Sequence, residues 1–152
     1  IAKHLNKILA LLLVVLALFF IFYPHFQRAD SLIETKLTSY AQVKDAGIWI
    51  KQYSELSDSV YSQSKPQNVY YSERVTYSFP ENEEEFIKNV STNRPKYMVL
   101  SMFENHPPWA YAWPQNNPNL VIPVQAYMRG DQPQQPALVI YQFNYTTFPG
   151  TI

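Results

Sequence analysis

The sequence predicts an α/β chain: one N-terminal transmembrane helix, then a small α/β sandwich with a mainly parallel sheet and a C-terminal antiparallel hairpin. Three observations predict it. Residues 8–22, ILALLLVVLALFFIF, are uninterrupted by any charge, Gly or Pro. Beyond them, helical periodicities alternate with short runs of β-formers, the pattern of parallel strands joined by helices. The last two such runs are separated only by the turn-rich Arg129-Gly-Asp-Gln-Pro-Gln-Gln-Pro136, which suits a hairpin.

The apolar run alone rises roughly 22 Å as a helix, short of a hydrocarbon core of about 30 Å. Leu5 and Tyr23 lengthen it, Lys7 can snorkel back to the headgroups, and Pro24 ends it. A soluble core helix is disfavoured because the run is apolar on every face. A cleaved leader is disfavoured because bulky Tyr23, Pro24, His25 and Phe26 follow it. Lys3 and Lys7 precede the run and only Arg28 follows closely, so the positive-inside tendency places residues 29–152 outside the cytoplasm. The expected organisation is therefore residues 1–28 as the transmembrane helix with its flanks and residues 29–152 as an extracytoplasmic α/β domain. The chain starts at Ile1 rather than Met, which suggests a piece of a longer protein.

The outer part reads in order. Ser31 to Tyr53 is expected as a helix, with Ala41, Lys44/Asp45, Ile48 and Trp49 recurring at three- and four-residue spacing. Asp58–Gln63 reads as a strand, Pro66–Ser72 as a short helical turn, and Val75–Phe79 as a second strand. Pro80–Val90 opens with proline and carboxylates and carries Lys88 near its end, a helix matched to its own dipole. Lys96–Phe103 is apolar enough for a central strand. Leu120–Met128 and Ala137–Phe143 are the last two strands.

Composition excludes whole classes of function. Among 152 residues, charged side chains are 16% and aromatic ones 16%, which is incompatible with disorder. Lys+Arg and Asp+Glu both number 12, so no long-range field gathers nucleic acid. Setting aside Lys3, Lys7 and Arg28 leaves 9 cations against 12 carboxylates, a net of −3 for the outer part. Absent cysteine removes disulfides, thiolate metal sites and cysteine nucleophiles. Gly-rich phosphate loops, G-x-S-x-G and H-E-x-x-H are also missing.

Few residues remain as candidates. Glu81, Glu83, Glu84 and Glu85 are better explained by a helix start than by paired acid–base chemistry. His106 with Glu104 could form a base, but a metal needs further donors, and His4 and His25 lie at the apolar run. Trp109, Tyr111 and Trp113 form a proline-stiffened aromatic stretch, either a flap on the sheet or a face for sugar rings, lipid headgroups or a partner. Arg74 could grip a phosphate or carboxylate, but pairing with Glu73 or capping backbone carbonyls explains it slightly better. Asn89-Val-Ser91 and Asn144-Tyr-Thr146 are glycosylation sequons.

Ala46-Gly47-Ile48-Trp49-Ile50-Lys51, the strand Asp58–Ser62, Tyr70-Tyr71-Ser72-Glu73-Arg74, Pro95-Lys96-Tyr97-Met98-Val99-Leu100-Ser101 and Leu138-Val139-Ile140-Tyr141 follow the apolar run in this order, a loose pattern over nearly the whole chain. It resembles the C-terminal region of archaeal and bacterial GT-C type integral-membrane glycosyltransferases, the protein-mannosyltransferase and aminoarabinose-transferase-like group. The resemblance implies a multi-pass enzyme of the cell membrane that moves a sugar from a polyprenyl-phosphate donor to an extracytoplasmic acceptor. Its catalytic carboxylate would lie upstream, so no catalytic residue and no cofactor is expected in this region, and the full enzyme's use of a divalent metal stays open. Implied partners are the lipid bilayer, the remaining transmembrane helices, the lipid-linked sugar and the acceptor. Arg74, His106, Trp109, Tyr111 and Trp113 are the expected contact residues. The alternative is a single-span, membrane-anchored binding or assembly domain with an aromatic partner surface.

Overall fold

The computed structural model describes residue 16 and residues 18–23, 41–129 and 132–148, in two compact units, Ile1–Ser39 and Tyr40–Ile152. In the first unit, residues 18–23 are helical and exposed, and Phe19 stacks on Tyr23 one turn later at 5.5 Å. The expected span over residues 8–22 lies largely outside the described residues. Among those described, no helix is long and apolar enough to cross a membrane.

The second unit is a mixed α/β domain. Helix α1 occupies residues 41–53, and the expected part over 31–40 lies outside the described residues. Val43, Ala46, Gly47 and Ile50 bury one stripe at helical spacing. That stripe is rotated from the one read in the sequence: Ala41 and Ile48 are exposed, and Trp49 is half-buried against Tyr53 and Tyr97. Strand β1 (Ser59–Ser62) is buried along its whole length, as a strand covered on both faces must be. Helix α2 (Lys65–Ser72) has two turns where one was expected, with Pro66 in its first turn and Glu73 capping it at φ 56°.

Strand β2 (Val75–Tyr77) follows, and Phe79, expected within it, lies beyond its end and is buried in the core. Helix α3 (Glu83–Asn93) begins where Asn82 accepts a hydrogen bond from the Glu85 N–H at 2.8 Å. Glu83, Glu84 and Glu85 occupy its first turn, where their charge complements the helix dipole. Strand β3 (Tyr97–Ser101), the single turn α4 (Trp113–Asn116), β4 (Val121–Arg129) and β5 (Gln132–Phe143) complete the domain.

The sheet order is β2-β1-β3-β5-β4. Strands β2, β1 and β3 are parallel; β5 is antiparallel to β3, and β4 to β5. Parallel and antiparallel pairings are thus equal in number, so the sheet is mixed rather than mainly parallel. The long connection between β3 and β4 lets β4 reach the edge, and its tight return, with Arg129 opposite Gln132, sets β5 antiparallel beside β3.

The expected turn at Arg129–Pro136 is shorter in consequence, because β5 already starts at Gln132. Pairing of β3 with β5 reaches only Leu138, and Pro133 and Pro136 lie beyond it, where the β4–β5 register is shifted around Met128.

Side chains alternate across the sheet. Tyr97, Val99, Leu138 and Ile140 pack against α1 on one face. Met98, Leu100 and Phe143 pack against Phe86, Val90 and Trp113 on the other. The result is a helix–sheet–helix sandwich. Helix α2 lies on the α1 side: Asn68 donates to Thr76 at 2.9 Å, and Thr76 is the register partner of Val60, which belongs to that face.

Candidate functional site at the carboxyl ends of the parallel strands

From β1 the chain passes through α2 to β2 on one side; from β2 it returns through α3 to β3 on the other side and the opposite face. Opposite directions on opposite faces give both crossovers the same hand. The direction of travel therefore reverses between β1 and β3. In open α/β sheets, ligands bind beyond the carboxyl ends of strands at such a reversal.

Here the loops after β1 and β3 meet. Ser64, after β1, donates its hydroxyl to Glu104, after β3. Gln63 donates to the Asn105 carbonyl at 3.3 Å and accepts from the Phe79 N–H at 3.3 Å, which ties in the end of β2. Glu104 and its neighbours form no ion pair among the described residues; the two bridges found there are Lys51–Glu73 and Lys96–Asp58.

His106 lies directly behind this carboxylate and is 7% exposed. Its Nε2 accepts from the Ser101 N–H at 3.2 Å, so in the neutral ring Nδ1 carries the proton. That buried Nδ1 has no hydrogen-bond partner among the described residues. Phe79 and Tyr111 meet the imidazole edge-on at 5.3 and 5.0 Å. Burial pushes the His106 pKa below its ordinary value, against the opposing charge of Glu104. Tyr111 is 46% exposed, yet its hydroxyl lies within hydrogen-bond reach of the Ser101 and Glu104 carbonyls at 3.1 and 2.9 Å. Burial and the Glu104 charge raise its pKa, so the phenol stays neutral.

Trp109 is half-buried, packs on Phe86 at 4.9 Å and donates its Nε1–H to the Glu81 carbonyl at 3.0 Å. Both rings are thus pinned by their own polar atoms. Trp113 differs: it is 1% exposed and packs edge-on against Phe86 at 5.1 Å, a core residue rather than a surface one.

Of the five contact residues expected from sequence, His106, Trp109 and Tyr111 gather at this end of the sheet. Arg74 does not join them, because it precedes β2 and so sits at the opposite end. Its guanidinium donates to Ser54 Oγ at 2.9 Å and to the carbonyls of Lys51, Ser54, Ser72 and Glu73 at 2.7–3.3 Å. It also borders an open groove of about 520 Å³ between α2 and β2, lined by Lys65, Val69, Glu73, Val75, Thr76 and Tyr77.

Ser64, Gln63 and Ser101 were not singled out from sequence. Their only signal is that polar residues bound two strands, and it acquires meaning once β1 and β3 are known to be neighbours. The arrangement can accept a hydrogen bond at Glu104 and present the half-exposed ring of Tyr111, while buried His106 braces the loop through Ser101. Among the described residues no group of three or more His, Asp or Glu side chains could hold a metal ion. No protein-family model, curated protein or solved structure matches this chain.

Proposed function

We propose that this chain is the C-terminal part of a multi-pass membrane glycosyltransferase, with residues 8–22 spanning the bilayer and residues 29–152 forming an extracytoplasmic accessory domain. The catalytic carboxylate belongs to the upstream region that this reading requires. The domain's task is to position the acceptor or cover the membrane-face cavity during transfer from a polyprenyl-phosphate sugar. One observation carries the assignment of the working face: Glu104, His106 and Tyr111 converge where the chain's direction across the sheet reverses. A carboxylate acceptor and a fixed aromatic ring suit a hydroxyl-bearing substrate.

The experiment is sugar transfer by the full-length protein carrying Glu104→Gln or Tyr111→Leu, with folding checked by circular dichroism. Loss of one hydrogen bond to a charged group predicts a fall in kcat/KM of about tenfold, mostly through the acceptor KM. Undiminished transfer by folded variants would reject this working face. If the full-length protein has one membrane span and no transferase activity, the single-span binding domain replaces the present reading.

A further inference from the structure

We propose that Asn144 is an N-glycosylation acceptor and that Asn89, although it heads the same type of triplet, is not. The inference rests on the extracytoplasmic placement of residues 29–152. Both asparagines begin an Asn-X-Ser/Thr sequence, so the distinction comes from geometry.

Asn144 follows the last residue of β5. Its Oδ1 accepts from the Thr146 N–H at 3.2 Å and from the Thr146 hydroxyl at 2.6 Å, a closed Asx turn with the hydroxyl on the acceptor amide. Between them, Tyr145 is anchored inward: its hydroxyl donates to the Pro95 carbonyl at 2.6 Å, and Arg94 lies over its ring at 4.7 Å. The anchor holds the triplet on the body of the domain while Thr146 is exposed and Asn144 is half-exposed.

Asn89 lies within α3, where side chains two residues apart do not face one another. The Ser91 hydroxyl instead donates back to the Ile87 carbonyl at 2.9 Å. Presenting Asn89 in a turn would unwind a helix whose Phe86 and Val90 are buried in the core.

The chemistry needs a lipid-diphosphate-linked oligosaccharide and a transferase that supplies a base. Two hydrogen bonds on Oδ1 draw electron density from the amide, which eases loss of one Nδ2 proton to that base. Nδ2 then bonds to the anomeric carbon, the bond from that carbon to the phosphate oxygen breaks, and the lipid diphosphate leaves with the electron pair. Nothing is oxidised or reduced. The second Nδ2–H can keep its bond to the Asn119 carbonyl, now at 3.1 Å. Because β5 runs against β3, Asn144 lies at the end of the sheet opposite Glu104 and His106, and a glycan there leaves that working face open.

The test is translation of the full-length protein into endoplasmic-reticulum microsomes beside a reporter glycoprotein. Protease protection gives the side of the membrane, and glycosidase-sensitive mobility gives modification. Expected is a protected domain with a one-glycan shift that persists in Asn89→Gln and Thr146→Ser but vanishes in Asn144→Gln and Thr146→Ala. A protected but unshifted domain beside a modified reporter, or a shift lost in Asn89→Gln alone, overturns the inference and leaves the topology standing. A protease-accessible domain overturns both.

Discussion

Arg74 illustrates how a residue that looks like a ligand grip becomes part of the frame. It is 6% exposed, forms no salt bridge among the described residues, and its donors satisfy carbonyls at the carboxyl ends of α1 and α2. Those are the groups a helix leaves unpaired, and a cation there also meets the negative end of each dipole. Arg74→Ala should therefore cost about 3 kcal/mol in urea unfolding, and Arg74→Lys about half of that, since lysine keeps the charge but not the fork. Equal and negligible losses would refute the frame role. His106 behaves differently because its proton is at stake. Its folded pKa is depressed from 6.5, so the unfolded chain takes up the proton first. Its contribution to stability is complete above pH 6.5 and lost as pH falls through the folded value. The melting temperature should accordingly begin to fall just below pH 6.5, before carboxylates titrate, and Asn or Gln at position 106 should flatten that limb. Sequence marked His106 and Glu104 as a pair of interest. It could not show that one ring nitrogen is spent on Ser101, because that bond depends on how the loop after β3 turns back.

At the scale of elements, α1 approaches α2 closely at Gly47. A Cβ placed on Gly47 would stand 2.6 Å from the Tyr71 Cβ, a backbone-near atom that rotamer changes cannot move. Gly47→Ala gains about 1 kcal/mol of helix propensity and loses more to overpacking, for a net destabilisation of about 1–2 kcal/mol. In a Tyr71→Gly background the sign should reverse, and thermal unfolding of the four variants measures the coupling. The elements themselves differed in legibility. Helix α3 is readable from its carboxylates and core-facing Phe86, although it starts at Glu83 rather than Pro80 and runs on to Asn93, so Lys88 is not in its last turn. The start of β5 is not readable, because Pro133 and Pro136 signal a turn in any local reading. They are accommodated in a strand where the β4–β5 register is shifted, beyond the end of β3. The buried stripe of α1 was misplaced for a similar reason: Trp49 looks like a core anchor, yet it stacks at the margin with Tyr53 and Tyr97 while smaller Val43, Ala46 and Ile50 face the sheet.

For the domain as a whole, the two ends of the sheet do different work. At the amino end of the parallel strands, the Lys96 ammonium donates to Asp58 at 2.9 Å, and the Tyr97 hydroxyl donates to the Tyr53 carbonyl at 2.8 Å. Arg74 binds the helix ends nearby. These contacts tie the ends of α1 and α2 to the starts of the parallel strands, so this end of the sheet is framework. The carboxyl end instead gathers Ser64, Glu104, His106 and Tyr111, which come from loops 40 residues apart in sequence where Ser64 meets Glu104. The transfer experiment with Glu104→Gln belongs to this scale, because it asks what one end of the sheet does under the proposed function.

Local pattern was enough to determine the α/β class, the order of the strands and of helices α1–α3, the central place of β3 and the helix-start role of the Glu83–Glu85 cluster; the turn α4 was not read. These follow from periodicity, capping and apolarity, which act over a few residues. Only the tertiary structure decided that the sheet is mixed, that Trp113 is core, that Arg74 faces away from His106, and that one sequon closes into a turn while the other lies in a helix. Strand order and the packing of one loop on another are long-range choices, settled by which faces must be buried together and not by any neighbouring residue.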